Sequence, residues 1–431
     1  MTDDGNQTRP VRTLTVKNFS VIKDAVTVPL DFGKITVLIG PQSSGKSLLC
    51  KLAYFLGQIV PEAANGLALL RLGEEKLFEI IAQEFKERFP PQSWGDEMGE
   101  IIFSSGAFNI SLAISPKRSH IATKINSEFL NEYRKFVERH GAEGSAKDVD
   151  KALRTGTVGA VGPFRFDESV YIPTGRAFFS TPNRGFASVS KNLDWITQRF
   201  SNEIDWEYRA MLKPSGPSSD LLPQFAEDAG GILGGRVIRE NGNLLFRSLK
   251  DGRELPFQWL SSGTQELLPL VNPLANLVYN SSTNPMSVWE HFSPRMGPIF
   301  IEEPELSIFP STQYELMRLF AWLSGEKRLE FPFVITTHSP YTLSSFNNLI
   351  YAGQLASERP ELKGEIARMV PERYWIENGS FRAYSIHDGL LRSILSESGL
   401  IDGEYLDSVS DTIGNEFDSL LRLEYDHTEA S

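Results

Sequence analysis

One octapeptide near the N-terminus constrains this chain more than any other stretch. The residues Gly40, Pro41, Gln42, Ser43, Ser44, Gly45, Lys46 and Ser47 fit the pattern G-x-x-x-x-G-K-S. An apolar, β-branched run precedes them at 35–39, and a segment with helical spacing follows at 48–56. In the order strand, glycine loop and helix, backbone N–H groups and a helix N-terminus surround one anionic group. The sequence therefore predicts a phosphate-binding loop for a nucleotide.

The side chains of this loop predict how it holds the phosphates. Lys46 is expected to reach the β and γ phosphates of the nucleotide. Ser47 is expected to hold Mg²⁺ through its hydroxyl. A nucleoside triphosphate and Mg²⁺ are thus the predicted ligands.

Composition limits the class of protein. The chain has 431 residues, 41% of them hydrophobic, with a net charge of −12 and a single cysteine, Cys50. This charge disfavours a nucleic-acid binder driven by overall electrostatics, although a local basic face stays possible. One cysteine forms no internal disulfide, and residues 1–10 are polar, unlike a secretory signal. We expect a cytoplasmic protein without membrane spans, with a disordered stretch at 1–10.

Local patterns predict an α/β fold. Alternation indicates strands at 14–19 and 25–30, then at 101–103 and 108–114. Helical spacing covers 60–95, 120–140 and much of 186–230. The dipeptides Asn241-Gly242 and Asp251-Gly252 predict two hairpin turns in a meander that spans 236–257.

Two short apolar strands end in chemically active side chains. The strand at 297–302 ends at Glu302 and Glu303, and the strand at 331–337 ends at His338. Short apolar strands separated by helices indicate a parallel sheet covered on both faces. Ligands of such sheets bind at the carboxyl ends of the strands. One pocket is therefore expected to gather the loop, the acids and the histidine.

Arg176 ends a further predicted strand, 170–176. At a strand end it either faces the nucleotide or serves as a structural or solvated arginine, and the residues alone leave both open. A serine at 261 or 262 is the predicted N-cap of the helix that follows the meander.

Taken together, these motifs resemble the ATP-binding cassette (ABC) head of the SMC, RecF and OLD group of ATPases. The resemblance covers residues 12–350 and implies an α/β head with a mixed sheet, an N-terminal antiparallel β-subdomain and an inserted helical lobe. It divides the chain into a core part at 11–60, an inserted lobe at 61–235 that includes strand 170–176, a second core part at 236–350, and C-terminal strands and acidic helices at 351–431. The motifs that carry it are Lys17–Phe19, the loop 40–47, Leu260–Gln265, Ile301–Glu305 and Thr336–Pro340.

The resemblance implies a role for each motif. Glu302 would organise Mg²⁺, Glu303 would polarise the attacking water, and His338 would contact the γ-phosphate. The signature segment, residues 260–265, would act on ATP bound by a second copy through Ser261, Ser262 and Gly263. ATP would then join two heads, so the implied partner is the chain itself, as a homodimer or higher oligomer.

Some positions depart from the family pattern. Glu302 stands where cassette transporters have aspartate, and Phe309 stands where a D-loop aspartate is usual. For the Q-loop glutamine the candidates are Gln58 and Gln83. The segment 171–176 resembles the Pro-x-x-Arg segment of small OLD-like ATPases, which favours Arg176 at the nucleotide.

Three functions are compatible with these motifs. The first is a sensor ATPase of an anti-phage system, similar to the AriA component of PARIS or the PtuA component of Septu, which controls a separate effector such as a TOPRIM or HNH nuclease. The second is a RecF-like repair ATPase, for which DNA would need a basic groove. The third, a transporter's nucleotide-binding domain, fits least well because of Glu302. Candidates for the groove are Arg176, Arg184, Lys191 and Arg199, or Lys117, Arg118 and Lys124; the acidic C-terminal helix is a candidate docking segment for a protein partner.

Overall fold

The computed structural model describes residues 11–70, 72–106, 108–140, 168–180, 193–205, 208–212, 221–283 and 296–402. Predictions for residues 1–10, for Arg184 and Lys191, and for the acidic segment beyond 402 lie outside these ranges. None of the helices in the described ranges combines the length and apolar character that a bilayer span requires.

A twelve-stranded mixed sheet forms the centre of the fold. Its order is β7-β6-β5-β1-β2-β15-β14-β4-β13-β12-β8, with β3 paired to β1. From β14 to β8 the strands are parallel, whereas β1, β2, β3, β5, β6 and β7 pair antiparallel. The strands are β1 (Arg12–Phe19), β2 (Ile22–Asp24), β3 (Leu30–Asp31), β4 (Ile35–Ile39), β5 (Gly99–Ser105), β6 (Phe108–Ser115), β7 (His120–Ile125), β8 (Glu168–Ile172), β12 (Met296–Glu302), β13 (Phe333–Thr337), β14 (Phe381–His387) and β15 (Leu390–Ser393). The predicted α/β class with a mixed sheet and N-terminal antiparallel strands is confirmed.

Helices cover both faces of this sheet. The central strands are short and almost wholly buried, so alternate side chains enter opposite cores: Ile299 and Ile301 of β12 enter one, and Phe300 enters the other. The helices are α1 (Lys46–Tyr54), α2 (Val60–Leu69), α3 (Glu74–Arg88), α4 (Ser127–His140), α5 (Trp195–Glu203), α6 (Arg209–Leu212), α7 (Leu221–Leu233), α8 (Ser262–Thr283), α9 (Pro310–Gly325), α10 (Pro340–Glu358) and α11 (Lys363–Met369), with a π-helical segment (Phe55–Ile59) between α1 and α2. Leucines of α1, α2 and α3 line one core, and those of α8, α9 and α10 line the other.

A separate three-stranded antiparallel sheet precedes α8. It consists of β9 (Gly235–Glu240), β10 (Asn243–Ser248) and β11 (Glu254–Leu255). Asn241 and Gly242 have φ angles of 48° and 82°, the left-handed pair that a tight hairpin needs. The predicted meander is confirmed, although its last strand ends at Leu255 and a 3₁₀ turn follows at Phe257–Trp259.

Four local predictions need correction. The expected strand at 25–30 does not form before Leu30, because the Asp24 carboxylate accepts the N–H groups of Val26 and Thr27 and bends the chain. The expected helical stretch at 60–95 consists of two helices, α2 and α3, and α3 ends at Arg88, next to the Pro90-Pro91 stop that the sequence itself contains. The expected helix at 120–140 begins only at Ser127, since 120–125 form β7 at the sheet edge. The expected strand at 170–176 ends at Ile172 and, rather than standing within an inserted lobe, pairs with β12 in the main sheet.

Candidate nucleotide site

The loop 40–47 leaves β4 and enters α1 with the backbone shape of an anion cradle. Ser43 and Gly45 have φ angles of 60° and 108°. A Cβ atom on Gly45 would lie 2.4 Å from Cδ1 of Ile22, which is the movable end of a side chain, so the φ angle is the main reason that glycine is needed there. Gly45 is also the N-cap of α1 and gives no side-chain cap. The first N–H groups of the helix therefore stay available for an anion.

Lys46 is buried and turns its ammonium back over the loop. Its Nζ donates to the carbonyl oxygens of Gly40 and Pro41 at 2.8 Å each, and it lies 3.1 Å from Nε2 of His338. Burial lowers the pKa of Lys46, while the nearby carboxylates of Glu303 and Glu305 act in the opposite direction. The lysine thus stands between the loop and the histidine that follows β13.

His338 connects this lysine to the acids after β12. Its Nε2 lies 3.4 Å from Oε1 of Glu303, and its side chain is about a third exposed. The backbone N–H of His338 donates to Oε1 of Glu305 at 2.7 Å, as does the hydroxyl of Thr337 at the same distance. The predicted gathering of loop, acid and histidine at the carboxyl ends of β4, β12 and β13 is what the structure shows.

Glu303 has an unusual backbone conformation. Its φ angle is 43°, which costs free energy for a residue with a side chain. Its N–H donates to the carbonyl of Thr336 on β13 at 2.9 Å. This turn directs the carboxylate of Glu303 towards His338 rather than along the strand.

Glu302 is buried and already hydrogen-bonded. Its Oε1 accepts from the hydroxyl of Tyr171 at 2.7 Å, and its Oε2 accepts from the backbone N–H of Thr174 at 3.2 Å. Burial and the neighbouring carboxylate raise the pKa of Tyr171, so that hydroxyl stays a donor. Ser47 and Glu302 each provide oxygen atoms, and oxygen is the ligand atom that Mg²⁺ prefers.

The surroundings of the loop also fit a bound phosphate and its metal ion. Within the described ranges, no group of three or more His, Cys, Asp or Glu side chains could hold a metal by itself. Phosphate-loop enzymes hold Mg²⁺ with one hydroxyl, one acid and phosphate oxygens. Two buried oxygens near the site, Ser44 Oγ and Glu305 Oε2, have no hydrogen-bond partner, which is the condition that a ligand relieves.

Arg176 lies behind the acids instead of beside the loop. Its side chain has no exposed surface. The guanidinium donates to the carbonyl oxygens of Glu302 at 2.6 Å, Glu303 at 2.9 Å and Glu266 at 3.2 Å. These bonds favour the structural interpretation that the residues left open and do not support direct contact with the nucleotide.

The signature segment lies at the exposed start of α8. Ser261 is the N-cap, since its Oγ accepts from the N–H of Thr264 at 3.2 Å. Ser262 is exposed, and a Cβ on Gly263 would lie 2.7 Å from the carbonyl oxygen of Ser307. None of the hydrogen bonds or ion pairs of the described residues joins Ser261, Ser262 or Gly263 to the loop of the same chain.

The glutamines proposed for the Q-loop are bonded elsewhere. Gln58, in the π-helical segment, donates to Glu62 at 2.7 Å and accepts from the N–H of Ser169 at 2.8 Å. Gln83 donates to Glu87 along α3. Neither side chain hydrogen-bonds to residues 40–47, so the Q-loop position stays unassigned.

The basic residues proposed for a DNA groove separate in the structure. Arg199 forms a two-pronged ion pair with the buried Glu62, at 2.7 and 2.8 Å, and its charge is thereby neutralised. With Arg176 also buried, the first candidate set loses two of its four members. In the second set, Lys117 and Lys124 are exposed on the sheet edge near β7.

Three residues of this site are not evident as site residues from the sequence. Tyr171 and Thr174 hold Glu302, and Glu305 holds the backbone of His338. The second acid in Glu303-Pro304-Glu305 is a signal for Glu305, because a second carboxylate so close to the first needs a hydrogen-bond donor.

Comparison with known proteins adds a family. The model of a family described as "AAA domain, putative AbiEii toxin, Type IV TA system" matches residues 35–344. This match exceeds half of the chain and includes the loop, the signature segment, both acids and His338. The chain belongs to this family. Among curated proteins, none matches this chain.

Solved structures similar to this AAA-domain chain include two heads of SMC proteins. An SMC head bound to the C-terminal winged-helix domain of ScpA has a TM-score of 0.43 at 12% identity, over 89% of this chain and 97% of that chain. The SMC head domain from Thermotoga maritima has a TM-score of 0.38 at 12% identity, over 90% and 99%. A dimeric, post-hydrolysis ATP-binding cassette bound to ADP and Pi has a TM-score of 0.30 at 13% identity, over 89% and 99%.

Proposed function

We propose that this chain is an ABC-type ATPase that binds ATP with Mg²⁺ and hydrolyses it in a composite site between two copies. One observation carries the proposal: the contiguous arrangement of Lys46, His338 and Glu303 at three neighbouring strand ends. Each gap between these groups is 3.1 to 3.4 Å. A triphosphate in the loop would reach the lysine first, with the histidine and the acid next to its terminal phosphate.

Each side chain has a chemical task in this proposal. The Nζ of Lys46 leaves the carbonyl oxygens of Gly40 and Pro41 and donates to phosphate oxygens instead. Its positive charge offsets the negative charge of the phosphates. Glu303 orients and polarises the attacking water, as a general base or positioning group. His338 contacts the γ-phosphate from the side opposite the loop. Ser47 and Glu302 would hold Mg²⁺, which would supply positive charge next to the β and γ phosphates.

A second copy completes the site. The signature segment is exposed, and the helix N-terminus at Ser261 to Gly263 has free donors that suit a γ-phosphate. Two large apolar side chains beside it, Trp259 and Phe309, are 71% and 75% exposed. Exposed aromatic residues around a polar site are the usual anchors of a protein interface. We infer that they contact a second head when ATP joins the two.

The biological role that we propose is a nucleotide-gated switch in an anti-phage defence system of the OLD-like kind. Membership of a family whose description names a putative AbiEii toxin and a type IV TA system supports a defence role. The switch would act in the cytoplasm on a separate effector protein, such as a nuclease, because ATP-driven joining and release of heads gives two states that an effector can distinguish.

A DNA-repair ATPase is the alternative function. The burial of Arg176 and the ion pair of Arg199 weaken the case for a basic groove, and the net charge of −12 does so as well. The exposed Lys117 and Lys124 are the residues to substitute if DNA binding is found.

Phosphate release by the purified chain tests the enzymatic part directly. We expect hydrolysis of ATP with Mg²⁺ at a rate per chain that rises with protein concentration, because the active form is a pair of heads.

Phage plating with the neighbouring genes present tests the biological role: protection should require both this chain and an effector gene. Tight, salt-dependent binding to plain duplex DNA without an effector would instead favour repair.

A further inference from the structure

Arg176 is a fully buried cation whose hydrogen bonds all end on main-chain oxygens. Nη1 donates to Glu302 O and also to Pro173 O at 3.2 Å, Nη2 donates to Glu303 O, and Nε donates to Glu266 O. The planar fork of a guanidinium can serve carbonyls from three separate segments at once, which an ammonium does not do in the same geometry. The arginine therefore joins the turn after β8, the end of β12 and the beginning of α8.

This arrangement is costly for stability alone. Among the residues that the structure describes, the one carboxylate that pairs with the guanidinium by distance is Glu266, at 3.5 Å from Nε, and its Oε2 has no hydrogen-bond partner. Burying a charge carries a desolvation penalty that an apolar side chain of similar size would avoid. A role in fixing the position of the three segments accounts for a charge at this place.

The carbonyls that Arg176 holds belong to the two acids of the site. The peptide units around Glu303 are fixed from both directions: its N–H bonds to Thr336 of β13, and its carbonyl oxygen bonds to Arg176. Because the φ angle of Glu303 is 43°, this turn needs such support to persist. The same turn sets the 3.4 Å distance between Glu303 and His338.

The other end of the connection is the signature helix. Glu266 is the fifth residue of α8, one turn beyond the exposed Ser262. The same helix start also touches the chain after the acids, through Gly263 against the carbonyl oxygen of Ser307. A displacement of the first turn of α8 therefore reaches Glu303 by two short routes.

We propose that Arg176 is a positioning residue that couples the start of the signature helix to the catalytic acids of its own chain. It does not contact ATP. Through it, a second head that closes on Ser261 to Gly263 of this chain adjusts the acids that serve this chain's own ATP. This inference rests on the proposed ATPase and gives the two sites of a pair a physical connection.

The variant Arg176→Lys tests the coupling with two independent readouts. The first is kinetic: we expect the turnover number to fall by about 10- to 100-fold, since small misplacement of a catalytic group has effects of this size. ATP affinity should change by less than about threefold, because the loop is untouched. The Hill coefficient for ATP should fall towards 1. A merely structural role predicts instead that turnover and the number of ATP-binding sites decline together with the folded fraction.

The second readout does not need hydrolysis. Amide hydrogen exchange in the nucleotide-free protein should become faster in the variant at both Glu303–Leu306 and Gly263–Glu266, with the rest of the sheet unchanged. Arg318→Lys is the matched control, because Arg318 is also largely buried and pairs with Glu315 without touching the acids. Unchanged exchange at both segments, or wild-type turnover in a folded Arg176→Lys protein, overturns the inference. A wild-type chain that does not hydrolyse ATP refutes the ATPase proposal, and the exchange result still decides the coupling.

Discussion

The ammonium of Lys46 lies 3.1 Å from Nε2 of His338, although 292 positions separate the two residues in sequence. The parallel pairing of β4 with β13 brings them together, since both follow the carboxyl ends of these adjacent strands. With Glu303 beside His338, the three groups form the polar floor on which a triphosphate would lie.

Glu303→Gln should bind ATP normally and hydrolyse it about 10²- to 10⁴-fold more slowly, the usual contribution of a group that handles the proton of the attacking water. The joined pair of heads should accumulate, which native mass spectrometry with ATP can measure. Glu315→Gln, an exposed acid on α9, is the control. Wild-type turnover in Glu303→Gln would remove Glu303 from the mechanism.

Lys46→Ala should weaken ATP binding by about 10- to 100-fold, which corresponds to the loss of hydrogen bonds from a charged donor to phosphate. Titration with a fluorescent ATP analogue measures this. Lys51→Ala, one and a half turns further along α1 and paired only loosely with Asp194 at 3.5 Å, should bind ATP as the wild type does. Equal affinities in the two variants would refute the assignment of the loop.

Removal of Mg²⁺ with a chelator should reduce ATP hydrolysis to background, because the charge on the β and γ phosphates is then not neutralised. Ser47→Ala should shift the Mg²⁺ concentration for half-maximal turnover upwards, while the melting temperature changes little. Titrating Mg²⁺ at saturating ATP gives both values. Identical Mg²⁺ curves for wild type and variant would exclude the serine hydroxyl as a ligand.

Trp259→Ala combined with Phe309→Ala should weaken the ATP-dependent pairing of heads. Truncated aromatic anchors of interfaces typically cost about 1 to 4 kcal/mol each. The ATP affinity of each separate chain should not change, because both side chains are exposed and neither belongs to the phosphate-binding loop. Sedimentation analysis with and without ATP measures pairing, with Met369→Ala as the control for loss of an exposed apolar side chain. Unaltered pairing would place the interface elsewhere.

The residues that would contact the triphosphate are easier to predict from the sequence than the residues that hold them in place. The loop, the acids and His338 were predictable because each follows a short apolar strand, and parallel strands present their ends together. The position of Arg176 was not, since a strand-end arginine can turn towards either side of the sheet, and only the carbonyls of Glu302 and Glu303 decide it. The contact of Tyr171 with Glu302 was not predictable either, because Tyr171 lies in a buried strand whose pattern indicates only apolar packing.

Two errors in the fold have equally specific causes. Ile125 and Phe129 are four positions apart, which is a helical spacing, but Ile125 is the last residue of β7 and Phe129 belongs to α4, so this spacing extends the predicted helix over a strand. The predicted strand at 25–30 fails because the Asp24 carboxylate competes for backbone N–H groups, an interaction that periodicity does not record.

The central claim, that each ATP site combines the loop of one head with the signature segment of another, has a direct test by mixing two inactive variants. Lys46→Ala lacks a working loop, and Ser262→Arg blocks the exposed signature without disturbing the core. Each alone should be inactive. A one-to-one mixture should recover on the order of a quarter of wild-type hydrolysis, because half of the pairs are mixed and each has one intact site. A mixture as inactive as its components, with mixed pairs shown to form, would contradict the composite site.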